Sequence, residues 1–131
     1  MAGFIRSSEM ETSFERYIIN RSEFDENFRY FDKEMISEVI GMFIKEYPSR
    51  FETMSRNIEE KDFTGLAFNA HSLKSVLASF MAPMPSALAA RLEVMAKSGT
   101  ESGLADLFSE LQTATLELVR ELDRIRDGLA A

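Results

Sequence analysis

A chain of 131 residues fits a single domain that buries roughly two-thirds of its unfolded surface without covalent staples. It is 45% hydrophobic, with eleven Phe and eight Met, which excludes a disordered chain, and its net charge of -7 argues against a nucleic-acid partner. The absence of cysteine excludes disulfides and cysteine-ligated zinc, and no apolar run reaches signal-peptide or membrane-spanning length, so a soluble cytoplasmic protein with no membrane partner is expected.

Residues 1–31 read as an N-terminal extension, with an apolar cluster (Phe14, Tyr17, Ile18, Ile19) and a short helix for which Ser22 is the N-cap. Asn20-Arg21-Ser22 matches a glycosylation sequon, which is coincidental without a secretion signal. Asp32 caps the next helix. Its stripe runs Ile36, Ile40, Phe43, Tyr47, Phe51, Met54 and Ile58, with Val39 and Ile44 beside it. Pro48 removes one backbone hydrogen bond, but the stripe keeps its phase across it, which predicts one kinked helix. Asp62 opens a helix over residues 63–81. Pro83 and Pro85 mark a turn and the first turn of another helix, which carries Leu88, Leu92 and Met95 and stops at Gly99. Residues 100–103 form a loop. The last helix, residues 104–127, shows Leu104, Leu107, Leu111, Leu118, Leu122 and Ile125 and ends at Gly128. The pattern predicts an all-α fold: an antiparallel four-helix bundle over residues 32–131, with the short helical extension packed on it.

His71 is the only histidine. On a helical wheel at about 100° per residue, Leu66, Leu73, Leu77 and Phe80 fall on the side away from it. Its own side carries Thr64, Ala67, Ser75, Ala78 and Ala82, with Lys74 at the margin and Phe68 near the edge. Small neighbours leave the ring accessible to a large partner, whereas a core histidine would show the opposite arrangement. A metal site is not supported, because the position three residues before His71 is Phe68 and there is no second histidine. Ser72, Ser75 and Ser79 lie nearby, but no nucleophile elbow or oxyanion-hole loop accompanies them, and there is no glycine-rich phosphate loop. What remains is histidine as a covalent nucleophile. Imidazole has a reference pKa of about 6.5, so a neutral ring is available near pH 7 to accept and later release a phosphoryl group. Lys74, one turn on, is placed to offset charge on the phosphoryl oxygens.

The run Ala70-His71-Ser72-Leu73-Lys74 resembles the core motif of the histidine-containing phosphotransfer (HPt) domain family. The resemblance continues with a Leu-Glu pair about twenty positions later, here Leu92-Glu93, and with the preceding acidic, Phe/Ile-rich helix and its Tyr47-Pro48. It implies a four-helix bundle displaying the phosphorylated histidine on its side, with His71 as phospho-acceptor and Lys74 as its basic neighbour. It also implies partners, namely receiver domains of response regulators and a sensor kinase, including hybrid kinases. No kinase activity and no cofactor belong to the chain itself, and Mg²⁺ is expected on the receiver. Thr64, Ala67, Phe68, Ser75, Ala78 and Ala82 would form the docking surface, and a monomer is expected. Glu93 and Lys97 match positions that approach the histidine in the family, although by sequence alone they read as plain surface charges. Two family glycines are replaced, the one following the lysine by Ser75 and one ten residues after the histidine by Met81. Two functional classes therefore stay open: a phosphorelay carrier, and a non-catalytic bundle that acts as an adaptor or kinase inhibitor.

Overall fold

The structure, a computed structural model, describes residues 18–130, so Phe14 and Tyr17 of the N-terminal cluster lie outside the described residues. The described chain forms five helices: α1 (Arg21–Asn27), α2 (Lys33–Glu59), α3 (Phe63–Ser79), α4 (Pro83–Ser98) and α5 (Leu104–Ala130). Each of α2 to α5 packs on the next, and α5 closes back on α2, giving a four-helix bundle. The connections, residues 60–62, 80–82 and 99–103, are too short to carry the chain back along the bundle, so neighbouring helices run antiparallel. No helix among the described residues is long and apolar enough to cross a membrane.

The apolar stripes go where the periodicity places them. In α2, Ile40, Phe43, Phe51 and Met54 are buried, and Asp32 caps the helix by accepting the Met35 N–H at 2.8 Å. Pro48 lies inside an unbroken helix, because the stripe on both sides of it stays against the core and outweighs the missing hydrogen bond. In α5, Leu104, Leu107, Leu111, Leu118, Leu122 and Ile125 are all buried. This helix runs past the expected stop at Gly128 to Ala130. A glycine within a helix costs only about 1 kcal/mol, and Leu129 beyond it packs against the core.

The first helix begins earlier than expected. Asn20, not Ser22, is its cap, with the Asn20 side chain accepting the Glu23 N–H at 3.1 Å. Asn20 also donates its own N–H to the Met81 carbonyl at 2.8 Å, and Asn27 Nδ2 donates to the Ser79 carbonyl at 3.2 Å. Ile19, Phe24 and Phe28 are buried in the common core, and Phe28 lies 6.4 Å from Phe80 between ring centres. Helix α1 thus closes the end of the bundle where α3 stops.

Helices α2, α3 and α4 end in the same way. A residue in the left-handed region follows each: Lys61 (φ 56°), Met81 (φ 56°) and Gly99 (φ 66°). The next N–H then reaches back over the last turn, Asp62 to the Asn57 carbonyl at 2.8 Å, Ala82 to Leu77 at 3.3 Å and Thr100 to Met95 at 2.9 Å. Helix α3 therefore ends at Ser79, two residues before the predicted stop, because Met81 already occupies the left-handed position. Only Gly99 adopts this conformation without a Cβ penalty. Lys61→Gly should raise stability by about 1 kcal/mol, read as a higher denaturant midpoint at unchanged slope. Met81→Gly should gain less, since the Met81 side chain packs against the core.

Candidate functional site

The site is built where α3 and α4 lie together. Their seam is lined by buried alanines, Ala67 and Ala70 on α3 with Ala89 and Ala96 on α4, and this is the most extensively packed helix pair. Short side chains let two helix axes approach closely. The start of α3 is fixed against α2 by a polar chain. Asp62 Oδ1 accepts the Gly65 N–H at 2.9 Å, Asn57 Nδ2 donates to Asp62 Oδ2 at 3.3 Å, and Asn69 Nδ2 donates to Asn57 Oδ1 at 2.8 Å. Gly65 is required by this close approach, because a Cβ there would collide with the Asp62 carboxylate and the Asn57 amide.

His71 emerges from the exposed side of α3, two turns beyond this anchor, with 59% of its side chain open to solvent. Its Nδ1 lies 3.2 and 3.1 Å from the two carboxylate oxygens of Glu93 on α4. The same carboxylate takes Lys74 Nζ at 3.0 Å on Oε1 and Lys97 Nζ at 3.0 Å on Oε2. The expectation that Glu93 is a plain surface charge is corrected: only 7% of the residue is exposed. It sits on the inward face of α4 with Leu88, Ala89, Leu92 and Ala96. That spacing was the available signal, since a carboxylate on an apolar stripe needs cationic partners. Lys97 and Lys74, and then His71, pull its carboxyl down to about 2 against the opposing effect of burial. Glu93 is therefore an ionised acceptor without a proton of its own, so His71 Nδ1 must be the donor. In the neutral ring that leaves Nε2 as the atom with the free lone pair, facing away from the carboxylate.

Beside the ring lies an open groove of about 750 Å³, with Thr64, Ala67, Phe68, His71 and Lys97 among its lining residues. Phe68 is exposed at its edge, and Ala67 is buried and belongs to the floor. On the other side of His71 the exposed face of α3 continues through Ser75 and Ala78. The Ser75 hydroxyl donates to the His71 carbonyl at 3.3 Å, so the group that replaces a family glycine turns back onto its own helix. Ala82 does not share this face. The chain leaves the helix at Met81, the helical period no longer applies, and Ala82 is buried as the residue before α4. One contact was not foreseen: Arg50 Nη1 of α2 donates to Ser72 Oγ at 3.1 Å, tying α2 to the residue next to His71. Periodicity gave no sign of it, because a polar bridge between two helices leaves no pattern in either one.

Because folding lowers the Glu93 carboxyl from 4.5 to about 2, its ionised form contributes stability that is fully present above the unfolded value. That contribution is lost as pH falls through this window. The stability difference between the native protein and Glu93→Gln should shrink as pH falls from about 5 toward 2. Denaturant titrations of both proteins across this range measure it.

A family model described as Hpt domain matches residues 38–128. No curated protein and no solved structure matches the chain. Hpt domains are phosphotransfer domains of two-component and phosphorelay systems, in which they interact with receiver domains and histidine kinases. The match extends over well more than half of the chain and contains His71, Lys74, Glu93 and Lys97, and the chain belongs to the Hpt-domain family.

Proposed function

We propose that this protein is a phosphorelay carrier in which His71 takes a phosphoryl group from the aspartate of one receiver domain and passes it to another. The observation that carries this reading is the hydrogen bond from His71 Nδ1 to the buried Glu93 carboxylate, which leaves the nucleophilic Nε2 outward on an exposed face. In the transfer step the Nε2 lone pair forms an N–P bond while the P–O bond to the receiver aspartate breaks. The electron pair of that bond leaves on the aspartate carboxylate. Nδ1 keeps its proton throughout, so no proton has to enter or leave, and the ring becomes a phosphorylated imidazolium. Onward transfer is the reverse step with a second aspartate. Such transfers pass through a loose transition state, so positioning and charge stabilisation supply most of the catalysis. The fixed ring and the two lysines at Glu93 offer both. Any divalent cation the receiver requires would come with the partner.

His71→Gln should abolish phosphate uptake from a phosphorylated receiver while changing stability by no more than about 0.5 kcal/mol. The amide still offers an N–H to Glu93, and the side chain it replaces is exposed. Acid-labile phosphate on the wild-type chain alone is the expected result. Equal labelling of both proteins would overturn the assignment, and no labelling of either would leave the adaptor reading. Ala78→Trp should suppress transfer from receivers with the melting temperature nearly unchanged. Reacting atoms must come within about 3–3.5 Å, and bulk on this exposed face obstructs the approach.

A further inference from the structure

We propose that Lys97, not Lys74, is the cation that meets the phosphoryl oxygens, while Lys74 stays on Glu93 and keeps the imidazole turned outward. The inference rests on the carrier reading above and assigns its charge stabilisation to one side chain.

Three donors share the two oxygens of Glu93: His71 Nδ1, Lys74 Nζ and Lys97 Nζ. A buried carboxylate cannot be left without a cation, so one lysine must remain there during transfer. The two lysines differ in where they stand. Lys74 is on α3 itself, only 32% of its side chain is exposed, and it has no part in the groove wall. Lys97 is 66% exposed and lines the groove together with His71, Thr64 and Phe68. Its bond to Glu93 joins residues four apart on one helix, and its exposed ammonium regains water on leaving the carboxylate, provided another cation compensates Glu93 in its place. The Lys74 bond crosses from α3 to α4 and is more enclosed.

The charges also balance at each stage. The ring that reacts is necessarily the neutral one, since its lone pair must be free, and Glu93 is then held by both lysines. Once the N–P bond forms, the ring carries a positive charge, and its Nδ1–H bond to Glu93 becomes charge-assisted. The ring then takes over the compensation that Lys97 had given. Lys97 is thereby released in the same step that brings a dianion to Nε2, and its exposed stem can swing to that dianion. Arg50 on α2 is engaged by Ser72 and Glu46 and does not compete for this role.

The test uses phosphoramidate, a small chemical donor that needs no docking surface, with two readouts: the rate of His71 phosphorylation by intact mass, and the ring-nitrogen chemical shifts that report the tautomer. Lys97→Met should slow phosphorylation by about tenfold, the equivalent of roughly 1.4 kcal/mol in the barrier, with unchanged ring-nitrogen shifts. Lys97→Arg should restore most of the rate. Lys74→Met should slow it less and should move the ring-nitrogen shifts toward a mixed tautomer, with Lys74→Arg restoring them. Wild-type rates in Lys97→Met, or a larger loss in Lys74→Met with its ring shifts unmoved, would overturn the assignment. A wild-type protein that takes no phosphate on His71 from phosphoramidate or from phosphorylated receivers would bring down the carrier reading itself.

Discussion

One buried carboxylate organises the functional end of this molecule. Glu93 occupies a position on α4 that the apolar stripe would give to a hydrophobic side chain, and it is tolerated there because three donors converge on it. Two of them, His71 and Lys74, come from α3, so the interaction holds the two helices in rotational register as well as satisfying a charge. The alanines of the seam are what make it reachable. Larger side chains at Ala67, Ala70, Ala89 or Ala96 would push the axes apart and leave the carboxylate without its imidazole partner. Small residues and one acidic residue therefore act as a unit, the first setting the distance and the second using it.

The same carboxylate decides the chemistry of the ring. A solvated histidine is free to exchange its proton between two nitrogens. Placed against an acceptor that stays ionised, His71 presents one nitrogen to the protein and the other to the outside. The bundle contributes by keeping the base of α3 rigid. The Asp62, Asn57 and Asn69 chain fixes its start against α2, and the Arg50–Ser72 bond fixes it again beside the histidine. At the far end of α3, helix α1 caps the bundle through Asn20, Asn27 and the stacked phenylalanines. Helix α3 is thus held on both sides of His71, while the ring remains exposed.

The positions that replace family glycines fit into this scheme differently. Met81 keeps a left-handed backbone that glycine would adopt more easily, so the turn is preserved at a local energetic cost while its side chain gains contact with the core. Ser75 keeps the helix and directs its hydroxyl to the carbonyl of His71. Both changes leave His71 in place and alter its surroundings, one at the end of the helix and one on the face beside the ring.

The sequence by itself determined the bundle, because helical periodicity and capping are local properties. The stripes of α2 and α5, the caps at Asp32 and Asp62 and the stop at Gly99 are all where spacing and residue type place them. It also singled out His71, whose small neighbours contrast with the leucines opposite. Element ends were less legible, since Asn20, Met81 and Gly128 each obey a tertiary contact over a local preference. The partners of the histidine were decided only by the tertiary structure. The spacing of Glu93 with Leu88, Ala89, Leu92 and Ala96 puts it on the apolar face of α4, but which groups of α3 meet it depends on how the two helices are rotated against each other. The same holds for Ala82, whose burial follows from where the chain leaves α3, and for Arg50, which matters only because another helix brings Ser72 to it.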